Sequence, residues 1–230
     1  MYPKKSPRLW QLDALRGVAI LLMVAFHIVF DSSVFFGVKP LDYHHSFWYY
    51  EGKLAAILFI GLAGVVSALV GAQKNVLRGV RLILMGLIIT FVTRVIYPEW
   101  TIWFGILHFL GVGILLSIFF ARLGRFNAVL GLLAIGLGAI VTSWRASHWF
   151  GLVFGVRPYD FQTFDYYPLF PWFGVMLLGM AVGHWITQKR TLAATPPPCT
   201  AKPLLWLGKY SLWIYFANQP ILLGILSLIF

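Results

Sequence analysis

Seven runs of about twenty apolar residues dominate the chain, at about 9–31, 53–72, 78–97, 102–122, 126–144, 168–187 and 210–229. A helix of that length, rising 1.5 Å per residue, matches a hydrocarbon layer about 30 Å thick. In such a solvent every backbone N–H and C=O must find a partner within its own segment, which leaves the helix as the only fold open to these runs. The expected fold is therefore all-α. It is a single integral-membrane bundle of about seven transmembrane helices, one domain over residues 1–230. Composition agrees. The chain is 60% hydrophobic and 11% charged with mean hydropathy +0.83, whereas a soluble domain carries about a quarter charged residues.

The net charge of +11 would suggest a nucleic-acid partner in a soluble protein. Here the cations lie between apolar runs, so they act as topology signals; the expected partner is the lipid bilayer, and no nucleic acid is expected. With the N-terminus in the cytoplasm, 13 of the 18 Lys and Arg fall inside and 5 outside. An even number of spans would spoil that alternation, so the C-terminus is expected outside. The opening Lys4, Lys5 and Arg8 imitate a signal peptide, but the apolar run is long and no small-residue cleavage site follows Asp31, so it reads as a retained helix. Two longer connections then face outward: 32–52, with Asp42, His44, His45 and Glu51, and 145–167, with Trp149, Arg157, Tyr159 and Asp160. Residues 191–203 form a Pro-rich cytoplasmic loop. The lone Cys199 permits neither an intrachain disulfide nor a cysteine metal cluster. Small residues at four-residue spacing, Gly64, Ala68 and Ala72 and again Gly179 and Gly183, predict close helix packing.

Ionisable groups inside the spans are costly in lipid, and each marks a candidate site. In "LDALRGVAILLMVAFHIVFD", Arg16 and His27 are eleven residues apart, hence on one helix face about 16 Å apart. Asp31 follows His27 at i+4, within reach of its imidazole. His108 sits in the outer half of the fourth run between Gly105 and Gly111. The last run carries Ser211, Tyr215 and Asn218 in one line, with Gln219 beside them and Pro220 releasing a carbonyl. The third offers Thr90, Arg94 and Tyr97 on one face, and Asp165 stands just before the sixth. Histidine titrates near neutral pH and a carboxylate can fix its tautomer, so this set suits general acid–base chemistry, with Asn218 or His108 placed to hold an oxyanion. No Walker loop, GxGxxG, HExxH or GxSxG occurs, and no metal is expected.

Arg16, Gly17 and His27 resemble the first helix of the acyltransferase-3 membrane family, an Arg-Gly start with a histidine eleven residues after the arginine. Gly208, Lys209, Ser211 and Tyr215 in "LGKYSLWIYFANQPIL" resemble its late Gly-Lys-x-Ser-x-x-x-Tyr helix; that family usually has histidine where this chain has Asn218, so no catalytic role carries over to that position. The closer resemblance is to the prokaryotic family grouped with heparan-alpha-glucosaminide N-acetyltransferase. It extends over "LRGVAILLMVAFHIVFD", "LFIGLAGVVSAL", "FGILHFLGVGILLS", "DYYPLFPWFGVMLLGMAVG" and the last helix. The lysosomal member carries asparagine in place of His27 and an active-site histidine in the following loop, near where His44 and His45 fall.

That resemblance implies an acyl-CoA-dependent transferase of the cytoplasmic (inner) membrane, moving an acyl group, usually acetyl, to a sugar or glycan acceptor outside. Arg16, with Arg78, Arg81 or Lys209 and with Ser211, then meets the CoA, while His27, oriented by Asp31 and with His108 at similar depth, activates the acceptor hydroxyl or amine. A bundle this small is compatible with a homodimer. A proton-coupled transporter using His27, Asp31 and His108 is the competing reading, and a non-catalytic membrane scaffold is the third.

Overall fold

A computed structural model describes residues 9–38, 47–189 and 196–230. Its α-helices are α1 (Trp10–Val34), α2 (Phe47–Leu69), α3 (Ala72–Ile96), α4 (Ile106–Phe120), α5 (Phe126–Val141), α6 (Leu169–Lys189), α7 (Lys202–Lys209) and α8 (Ser211–Ile229). Strand pairing among the described residues is confined to a two-residue parallel ladder, Arg145–Ala146 with Arg157–Pro158, and an isolated parallel bridge between Phe104 and Tyr166. Six helices are long and apolar enough to cross a membrane: α1, α2, α3, α4 with its 3-10 extension to Leu123, α6 and α8. The chain is thus a multi-pass membrane protein. The fifth apolar run forms a shorter helix than its sequence suggests. Residues 142–144 turn away, Thr142 bonding back to the Gly138 carbonyl, and the 16 residues of α5 measure about 24 Å.

Helix ends follow local chemistry. Pro98 has no N–H to donate and disfavours helix at the residue before it, so α3 stops at Ile96. Asp165 Oδ2 accepts the Ile106 N–H at 2.8 Å and caps α4, whose first amides would otherwise lack partners. The Phe170 backbone is extended, and the regular part of α6 follows it.

The chain divides into two compact units, residues 1–59 with 192–230, and residues 60–191. In the first, α1 packs against α7, α8 and the start of α2. A methyl group at Gly17 would strike the Leu204 carbonyl, and one at Gly208 would strike the Asp13 carbonyl. These reciprocal contacts, 17 with 204 and 13 with 208, set α1 and α7 antiparallel and backbone to backbone. By contrast α8 runs parallel to α1, His27 meeting Asn218 and Phe36 meeting Phe230. Ile20, Met23 and Ala55 form the core there, with Leu207, Ile214 and Tyr215 against it. The sequence reading places a linker running directly into the last span and does not anticipate α7.

In the second unit the two predicted small-residue faces meet each other. Gly64 of α2 abuts the Met176 carbonyl of α6, while Gly179 and Gly183 abut the carbonyls of Gly61 and Val65. The connection between α5 and α6 is tied down by Tyr166, whose hydroxyl donates to the Leu152 carbonyl at 2.6 Å. Burial pushes this phenol up to about 12, more than offsetting the opposing pull of Arg157 and Arg145. The native state therefore keeps a proton that the unfolded chain loses near its ordinary value of 10. Stability should be full below pH 10 and decline as the pH rises towards 12. Alkaline melts of the wild type should show that decline, and Tyr166→Phe should flatten it.

Candidate active site

The polar residues of α1 and α8 gather in one layer of the first unit. Asn218, 6% exposed, directs its Nδ2 donor to Nδ1 of the half-buried His27. Gln219 Nε2 donates to Asp31 Oδ1 at 3.1 Å. Asp31 is wholly buried, and its second oxygen, Oδ2, has no hydrogen-bond partner. Pro220 follows directly, so the Phe216 carbonyl loses its helical N–H at this level.

The pairing differs from the one the spacing suggests. Asp31 does not hold His27; each α1 group takes an amide from α8 instead. An i+4 pair on one helix gives His27 and Asp31 reach, but the facing helix offers two amides in closer register. Asn218 therefore sets the tautomer. With Nδ2 toward Nδ1, that ring nitrogen accepts and the proton sits on Nε2. Rotating the amide to present its oxygen puts the proton on Nδ1 and frees the Nε2 lone pair. Beside Asn218 a groove of about 480 Å³ runs between Val24, Trp206, Tyr210 and Trp213.

Arg16 lies at the other end of α1, where its Nη1 meets Asp13 Oδ1 at 2.9 Å. The sequence reading passed over Asp13, although i,i+3 spacing to an arginine is a helix ion-pair signal. Lys209 is exposed at the end of α7, its Nζ 5.2 Å from the Tyr210 ring centroid. Tyr215 packs towards Ile20 and Met23, on the α8 side that also presents Asn218; Ser211 opens that helix.

The remaining candidates among the described residues belong to the second unit. His108 is buried on α4 with Nε2 3.2 Å from Thr90 Oγ1. That hydroxyl already donates to the Ile102 carbonyl at 2.6 Å. A hydroxyl has one proton, so His108 must donate from Nε2, leaving its lone pair on Nδ1. Phe104 stacks on the imidazole, and Gly86 leaves room for it. Arg94 donates to the Pro98 carbonyl at 3.1 Å and Asp165 caps α4, so both hold the same turn. Arg78 donates to Asn75 Oδ1 at 2.9 Å, and Arg81 is exposed on α3. His44 and His45 lie outside the described residues.

Fold and site together define a multi-pass membrane protein with an acid–base-capable polar layer between its helices. The family described as heparan-alpha-glucosaminide N-acetyltransferase, catalytic, matches residues 8–220, and the chain belongs to that family. By family it is a membrane acetyltransferase. No curated protein and no solved structure matches the chain.

Proposed function

We propose that the chain moves an acetyl group from cytoplasmic acetyl-CoA to a sugar hydroxyl or amine on the outer side of the cytoplasmic membrane, with His27 as general base. The observation that carries this reading is the His27–Asn218 pair, a histidine whose tautomer is set by an amide on a neighbouring helix within a family of acetyltransferases. With the Asn218 oxygen on Nδ1–H, His27 Nε2 takes the proton of the acceptor hydroxyl or amine as that group attacks the thioester carbonyl. A C–O or C–N bond forms, the C–S bond breaks, and the proton on Nε2 passes to the departing thiolate. The donor's phosphates are met by Arg16 and Lys209, at the facing ends of α1 and α7. The distance of about 16 Å from Arg16 to His27 then spans the reach from phosphates to thioester. Holding both reactants in one site supplies the proximity contribution.

The test is acetyl-CoA binding by the purified protein in detergent, followed by calorimetry. Wild type should bind, and Arg16→Ala should weaken binding about tenfold, the worth of one charge-assisted contact. A wild-type protein with no affinity for acetyl-CoA would defeat the proposal.

A further inference from the structure

Glu51 reads from the sequence as the end of an outer loop, yet it lies within α2 and is only 6% exposed. Both carboxylate oxygens are buried, and neither has a hydrogen-bond partner. Its neighbours fix its depth. A methyl group at Gly52 would come 2.6 Å from the Phe26 ring, and Ala55 packs with Ile20 and Met23. The start of α2 thus runs antiparallel to α1, and Glu51 falls level with His27. Two further buried acceptors near this level are also unpartnered, Asp31 Oδ2 and Gln219 Oε1. The one buried unpartnered donor among the described residues of this unit, Trp10 Nε1, is about 25 Å away along α1.

Four buried oxygens on three helices, with no unpartnered buried N–H at their level among the described residues, are complementary to a ligand that brings several donors of its own. Unpartnered oxygens in such a place are costly, and a ligand N–H or O–H relieves the cost. We propose that Glu51, with Asp31 and Gln219, forms a pocket for the hydroxyl or ammonium groups of a polyol or amino sugar, next to the group that His27 activates. This rests on the acetyltransferase reading above. Glu51 takes no proton in the reaction. Its two oxygens accept two neighbouring donors, and so it determines which acceptor is held.

The experiment uses the full chain in detergent with glucose and glucosamine as probes and cyclohexanol as a donor-poor control. The readout is modification by N,N′-dicyclohexylcarbodiimide, a reagent for buried carboxylic acids, located by mass spectrometry. Glu51 should be labelled, and one of the sugars should slow labelling about tenfold, while cyclohexanol and coenzyme A should not. Glu51→Gln should raise the KM for the protecting sugar about tenfold with kcat and acetyl-CoA affinity unchanged. Glu51→Leu should lose the same sugar affinity yet melt no lower than wild type, because it removes two unpartnered oxygens. Absence of protection by either sugar, or a lower melting temperature for Glu51→Leu, overturns the pocket even if His27 proves catalytic. Protection in a protein whose transfer survives His27→Ala leaves the pocket standing and removes the catalytic reading instead.

Discussion

Alanine at position 27 should lower acetyl transfer by about 10²–10⁴-fold, the usual worth of a general base, with acetyl-CoA affinity unchanged. The separation follows from geometry. His27 lies about three turns along α1 from Arg16, so truncating the imidazole leaves the proposed phosphate contacts in place. The fold should survive as well. His27 is half-buried, so removing its ring empties little packed space. Asn218→Ala should cause a smaller loss, since it removes the group that selects the tautomer and keeps the base itself. Steady-state transfer and calorimetric acetyl-CoA binding on the same preparations check both variants. Transfer at the wild-type rate by His27→Ala would remove His27 from the chemistry and turn attention to the histidines as a proton path.

The largest loss of stability should come from Gly208→Ala. The added methyl meets the Asp13 carbonyl, a backbone atom on α1 that cannot swing aside as a side chain would. Overpacking of this kind costs about 1–3 kcal/mol, occasionally more. Gly224→Ala is the control. It lies on α8 with nothing within 4 Å of the added carbon, and exchanging glycine for alanine in a helix favours the helix by about 1 kcal/mol. Thermal unfolding should therefore move in opposite directions for the two variants. Gly208→Ala should also weaken acetyl-CoA binding, because parting α7 from α1 separates Lys209 from Arg16. Equal melting temperatures for the two variants would refute the close contact.

The helices were legible because apolar length is a one-dimensional signal. Close packing at Gly64 and at Gly179 was legible for the same reason, small residues every fourth position having one obvious use in lipid, but that these two faces meet each other was not. His27 and Asn218 were both visible as polar residues in apolar runs, but their pairing was not. Partner choice depends on the register between α1 and α8, which lie about 190 residues apart in the chain, and spacing within α1 favoured Asp31 instead. Glu51 was missed because its neighbours Trp48, Tyr49 and Tyr50 suggest an interfacial loop, although Gly52, Ala55 and Ala56 already mark a helix face. The α7 hairpin was hidden by the prolines before it. The motif glycines Gly17 and Gly208 were recognised as a pattern, and only the structure explains them, as the two halves of one backbone contact.

The polar layer joins the first and last of the described helices, and this has a bearing on biogenesis. His27 and Asp31 are made some 190 residues before Asn218 and Gln219. At 5–20 residues per second, that interval lasts roughly ten to forty seconds. Throughout it α1 sits in the translocon or the bilayer with an unanswered carboxyl and imidazole, and only the arrival of α8 supplies their amides. A nascent chain arrested before α8 should thus keep α1 less firmly in lipid than the finished one. Quality-control machinery that recognises polar groups exposed to lipid would have a chemical mark separating incomplete copies from complete ones.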